Sequence, residues 1–268
     1  MHVVPRMILF IGVAFRFGFP TPSALAAPEV ALEKMTWPEI ARAIQNGDKT
    51  VIIPIGGTEQ SGPFIAVGKH NVRAAALALR IARGLGHCLV APVIAYVPEG
   101  DTSPRTSHMR FPGTISIPPR IFEGLLMGAA GSLRAQGFQH IAIISDHGGY
   151  RASVARVTQQ LNTRWRNAAR VIDITPYYDV LQSRFAPWLR ERGFAQDIGQ
   201  HADLMDTSLM LAVDPTMVRL ALMKKSLKPG KEDGVYGGDP RPSTAALGAV
   251  GTSFQVDAAI ARLRREYK

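Results

Sequence analysis

The sequence predicts a three-layer α/β/α fold, with helices on both faces of a mainly parallel sheet, and two observations carry that expectation. Apolar runs of four or five residues without polar alternation occur at Val51-Ile52-Ile53-Pro54-Ile55 and Ile141-Ala142-Ile143-Ile144, as strands covered on both faces require. Strand-like and helix-like stretches then alternate at the spacing of right-handed βαβ units. The chain has 268 residues, 46% of them apolar, enough for one large core. No internal repeat or low-complexity tract breaks it.

The elements follow in order. Residues 1–26 have the layout of a secretory signal peptide: Arg6, an apolar core from Met7 to Phe15 too short to span a bilayer, and small residues Ala24-Leu25-Ala26 at the cleavage positions. A single α/β domain over residues 27–268 is expected to follow, exported to the periplasm or secreted, without stable membrane insertion. Thr36-Trp37-Pro38-Glu39 reads as a capping box with proline in the first turn, and Gly47 stops that helix. After the strand at Val51, Asn71 is placed to cap a helix running through Arg83, and Cys88 to Val90 begins the next strand. A helix over Ile121 to Gln136 leads into a strand ending at His147. Another over Ala152 to Arg166 leads to Val171-Ile172-Asp173-Ile174. Helices are expected at Arg184 to Arg190, Asp203 to Ala212 and Val256 to Arg265, with a long Gly- and Pro-rich loop over Lys228 to Thr244.

The formal charge is +10, and loss of the leader removes Arg6 and Arg16 and no acid, leaving +8. The arginines are scattered along helical stretches, without the clustered charge, aromatic platforms or module of a nucleic-acid binder. The balance instead suits solvated helix faces and an anionic small-molecule substrate. Cys88 is the single cysteine, so no intrachain disulfide can form, and its apolar neighbours suggest an inert core thiol.

Chemistry concentrates where strands end. Val51–Ile55 runs into Gly56-Gly57-Thr58-Glu59-Gln60-Ser61-Gly62-Pro63, and Ile141–Ile144 into Ser145-Asp146-His147-Gly148-Gly149-Tyr150, offering a carboxylate and an imidazole at corresponding places. A serine hydrolase needs a nucleophile elbow, and no Gly-x-Ser-x-Gly occurs. The glycines form neither a dinucleotide fingerprint nor a P-loop.

Taken with Gly68-Lys69-His70, His108-Met109-Arg110-Phe111-Pro112-Gly113-Thr114, His201-Ala202-Asp203, Asp206-Thr207-Ser208 and Gly238-Asp239-Pro240, these junctions resemble the creatininase (creatinine amidohydrolase) family from about Thr36 onward. The resemblance implies a creatininase-like fold, a divalent metal (zinc, with manganese as the other choice), hydrolysis of an amide or cyclic amide C–N bond, and a homo-oligomer, hexameric in many members. It assigns Glu59, His70 and His147 to one metal site, and Ser61, His70 and Asp206 to a second. His70 stands where the family has a bridging aspartate and Ser61 where it has a histidine. One ion per chain is therefore expected, held by Glu59, His70 and His147 with Asp206 beside it as ligand or base. His108 and His201 are the other catalytic candidates, and Asp146 is a candidate to orient His147. Phe64 and Tyr150, replacing a family histidine and asparagine, suggest a more aromatic pocket. The altered ligands also leave open a non-catalytic small-molecule-binding protein of the same fold.

Overall fold

The computed structural model describes residues 28–166 and 168–266; the expected leader lies outside them. A capping box on Thr36 opens α1 (Trp37–Gln45). There follow β1 (Thr50–Ile55), α2 (Lys69–Leu85), β2 (Cys88–Val90), α3 (Pro119–Ala135), β3 (His140–Ser145), α4 (Arg151–Trp165) and β4 (Arg170–Asp173). The strands form a parallel sheet in the order β2-β1-β3-β4. The last third adds α5 (Pro176–Val180), a π-helical turn, α6 (Ala186–Arg190), α7 (Leu204–Val213), α8 (Leu220–Lys225) and α9 (Ala245–Glu266).

Successive strand residues point to opposite faces, and the two halves of the core divide accordingly. Val51, Ile53, Ile141, Ile143 and Val171 pack with Phe122 and Leu126 of α3 and Val154, Val157 and Leu161 of α4. Ile52, Ala142, Ile144 and Ile172 pack on the other side with Leu77 and Ile81 of α2 and Val256, Ala259 and Leu263 of α9. This double burial explains why the strands read as unbroken apolar runs. Pro54 fits inside central β1 because β2 pairs only with Thr50 to Ile52. Past that point the exposed side of β1 is met by a loop, where Ile94 N–H donates to Pro54 O, and no partner needs the N–H that proline lacks.

Chain order reverses between β1 and β3: β1 leads outward to β2, and β3 outward to β4. In open α/β sheets the crevice at the carboxyl ends of such a pair is where ligands bind. Both polar junctions singled out in the sequence lie there.

Several boundaries differ from expectation. β3 ends at Ser145, leaving Asp146 and His147 in the following loop. Gly68 rather than Asn71 precedes α2. Asn71 lies inside its first turn, where Oδ1 accepts from Gly57 N–H at 2.9 Å and Nδ2 donates to Thr58 Oγ1 at 3.0 Å. It thus fastens the loop after β1 instead of capping a helix. The last helix starts at Ala245, eleven residues before the expected Val256, and α8 was not anticipated. Among the described residues no helix is long and apolar enough to cross a membrane.

Candidate metal centre and active site

Six segments meet at this crevice. Glu59 comes from the loop after β1, and Lys69, His70 and Arg73 from the first turns of α2. Glu99 and His108 come from the long connection between β2 and α3, and Asp146 and His147 from the loop after β3. Tyr177 and Tyr178 stand on α5, while His201 lies in the turn before α7 and Asp206 in its first turn. His108 and His201 each neighbour a residue in the left-handed region, Ser107 at φ 47° and Ala202 at φ 54°. That conformation is costly for side chains other than glycine, and it clusters at functional sites.

Glu59 is fully buried, and its two oxygens face different company. Oε1 lies 2.8 Å from His70 Nε2, 3.5 Å from Lys69 Nζ and 3.6 Å from His201 Nδ1. Oε2 lies 3.2 Å from His108 Nε2 and 3.4 Å from His147 Nε2, yet accepts no hydrogen bond. Burial by itself would raise the Glu59 carboxyl; His147, His70 and Lys69 outweigh it and hold the group well below the usual carboxylate range. Glu99 stands beside it with both oxygens buried and without hydrogen-bond donors, and His147 Nδ1 is 3.7 Å from its Oε2. Burial, reinforced by the Glu59 charge, pushes Glu99 up to about 9. Gly57 makes the approach possible: at φ 148° it has no side chain, and a Cβ there would lie 2.5 Å from Glu99 Oε1.

Glu59, Glu99, His108 and His147 each offer one ligand atom, all within 4.8 Å of one another. Two carboxylates and two imidazoles are a donor set suited to zinc and related divalent ions. The buried carboxylate oxygens that accept no hydrogen bond are what such an ion would satisfy. Burial lowers His108, and lowers His147 to about 4, so both rings are neutral near pH 7, as ligation requires.

His70 and Asp206, expected beside the metal, keep other company. The His70 ring is clamped between carboxylates, with Nε2 on Glu59 and Nδ1 2.7 Å from Asp146 Oδ2, so neither nitrogen presents a free lone pair. Asp206 Oδ2 accepts from Lys69 Nζ at 2.8 Å and from Ala202 N–H at 3.0 Å, while Oδ1 accepts from Arg73 at 3.3 Å. Burial opposes its charge, but Lys69 and Arg73 hold its carboxyl well below the usual range. Asp146 does not orient His147; it binds His70, Arg73 Nε at 2.8 Å and the Tyr177 hydroxyl at 2.7 Å.

The accessible part of the site is a cleft of about 270 Å³ lined by His70, Ser107, His108, His147, Tyr178, Gln200, His201, Asp206 and Tyr236. His201 Nε2 lies 2.9 Å from Gln60 O. That oxygen can only accept, so Nε2 carries the proton and Nδ1 the lone pair. Burial, followed by Lys69, lowers this ring to about 3. Neither Phe64 nor Tyr150 lines the cleft. Tyr150 is turned into the core, its hydroxyl donating to Ile55 O at 3.0 Å and Gly56 O at 2.8 Å; the cleft's aromatic rings are Tyr178 and Tyr236. Ser61 is buried, with its hydroxyl 3.4 Å from Glu59 O.

The family model of creatininase, described as creatinine amidohydrolase, matches residues 33–263. The chain belongs to the creatininase family. It is 27% identical over 236 residues to the mycofactocin precursor peptide peptidase of Mycolicibacterium smegmatis, covering 80% of this chain and 84% of the relative. It is 25% identical over 197 residues to the creatinine amidohydrolase of Pseudomonas putida, covering 71% and 74%. A crystal structure of creatininase superposes with a TM-score of 0.74 at 20% identity, covering 90% of this chain and 98% of that one. Solved creatininases with the same TM-score include a zinc–zinc form and a manganese form. This member is therefore a creatininase-family hydrolase with the family's three-layer fold.

Glu99, Lys69 and Arg73 escaped the sequence reading. Glu99 lies between a proline and a glycine in a connection without periodicity, where nothing separates it from Asp101. Lys69 did leave a signal: a lysine in the first turn of a helix opposes the macrodipole, and so calls for a local anionic partner.

Proposed function

We propose that this chain is a metal-dependent amidohydrolase that cleaves an amide or cyclic amide C–N bond in a small molecule, with one divalent ion held by Glu59, Glu99, His108 and His147. The observation that carries this reading is the pair of buried, facing carboxyls, Glu59 and Glu99, whose inward oxygens accept no hydrogen bond and lie against two neutral imidazoles. Zinc suits the donor set best, with manganese next. When bound, such an ion polarises a carbonyl and acidifies a water molecule. The chain's own groups supply the rest. His201 lines the cleft with its Nδ1 unprotonated and can accept a proton or a substrate N–H. Tyr178, Tyr236 and Gln200 bound the space around the substrate. Lys69 and Arg73 keep Asp206 ionised and fixed, which favours a scaffolding role for it over that of ligand or base. The cleft volume suits a small molecule or the end of a peptide.

Alanine at Glu99 or His147 is expected to lower bound zinc at least tenfold, since loss of even a group that only orients a metal ligand costs about that much, and to abolish hydrolysis across a panel of amides, lactams and short peptides. If elemental analysis finds no metal under any loading condition, a small-molecule-binding protein of this fold becomes the better reading. The proposal extends to export, supported by the sequence layout of residues 1–26, and to a homo-oligomer, supported by exposed Tyr96, Ile121 and Leu125. Mass spectrometry of the mature N terminus tests the first, and light scattering the second.

A further inference from the structure

We propose that the Lys69 ammonium is a built-in replacement for a second divalent cation, filling the position between Glu59 and Asp206 so that the centre takes a single ion. The inference rests on the one-ion site above and concerns what lies beside it.

Lys69 is fully buried, and its Nζ stands 2.8 Å from Asp206 Oδ2 and 3.5 Å from Glu59 Oε1. On the same Glu59 oxygen, 3.6 Å away, lies His201 Nδ1, the nitrogen left with the lone pair because Nε2 faces the Gln60 carbonyl. Two carboxylate oxygens thus flank the ammonium, and an imidazole nitrogen stands beside one of them. A pair of buried carboxylates attracts a cation, and the chain puts its own there. Arg73 occupies the other oxygen of Asp206 and continues to Asp146, so the acids on this side of Glu59 are neutralised by side chains. Glu59 divides its labour: Oε1 serves the internal cations and Oε2 faces Glu99, His108 and His147.

Position on the helix adds an independent argument. Lys69 is the first residue of α2, whose first turn holds no acidic residue. A positive side chain there is repelled by the helix dipole, and a buried ammonium is costly unless paired. The placement is accounted for by the two carboxylates it joins.

Purified full-length protein, loaded with excess zinc and dialysed, gives the test. Wild type should hold one ion per chain by elemental analysis. Lys69→Ala removes charge and volume and should hold two, the second equivalent raising its melting temperature. Lys69→Met fills the volume without a charge and should stay at one, as should Lys69→Ala combined with Asp206→Asn, which removes the second site's carboxylate. Lys69→Asn, still able to hydrogen-bond Asp206, serves if the alanine variant does not fold, with two ions again expected. Two ions in wild type would overturn the inference, because the lysine would then exclude nothing. One ion in wild type together with one in folded Lys69→Ala and Lys69→Asn would overturn it while leaving the one-ion site standing. No ion in wild type would remove that site, and this inference with it.

Discussion

Glu99 has a protonation state set by its surroundings, and its effect on stability therefore changes with pH. Its unperturbed value is 4.5 and its native value about 9. Between those limits the native protein holds a proton that the unfolded chain has released. Its contribution to stability is therefore fully present below about pH 4.5 and is lost as pH rises toward 9. Glu99→Gln keeps the shape and stays neutral throughout. In chelator, wild type and variant should melt at similar temperatures near pH 5, and the variant should melt higher by pH 9; parallel curves across that range would contradict the assignment. Zinc affinity of the wild type should climb over the same window, since the ion displaces that proton. At this scale legibility followed chain position. Glu59, His108, His147 and His201 were readable because they sit in short motifs, two of them at strand ends. Glu99 reaches the site only because a distant connection folds back against Gly57, and no local pattern records that.

At the level of elements, the two central strands present their loops to the site, and the β1 loop is held by contacts from elsewhere. Asn71 of α2 grips it from one side, and Tyr150, just before α4, bonds the carbonyls of Ile55 and Gly56 from the other. Tyr150→Phe keeps the ring packed on Phe122 and removes one hydroxyl shared by two buried carbonyls. The expected cost is about 1 kcal/mol, read as a fall in melting temperature of roughly 2–4 °C for a domain of this size. Amide exchange at Gly56 to Glu59 should quicken with it, whereas unchanged exchange there would argue against a clamp. The strands were legible because burial on both faces writes an unbroken apolar run. The first half of α9 was not, because Gly248 and Gly251 read as helix breakers. Tertiary packing overrides that propensity: a Cβ at Gly248 would strike the Ser208 backbone, and one at Gly251 would meet Leu209 and Phe185 at 2.7 Å. These glycines let α9 lie directly on α7 and its neighbours.

For the molecule as a whole, alternating strand and helix fixed the layer arrangement, and the chain reversal between β1 and β3 fixed where the cleft opens. What composition could not convey is the charge economy of the interior, where Lys69, Arg73, Asp146, Asp206 and Glu59 neutralise one another across elements far apart in the chain. The opposite end of the sheet holds a simpler feature. Cys88, the single cysteine, is 2% exposed in edge strand β2, packed in the layer formed by α2 and α9, and burial pushes its thiol far up. A thiol so placed reacts only when that layer opens, so the protein carries its own clock for opening. With a chromogenic disulfide reagent, labelling in native buffer should be slow and should accelerate with urea in step with loss of helix signal. One equivalent consumed at once in native buffer would show instead that β2 breathes independently of the rest.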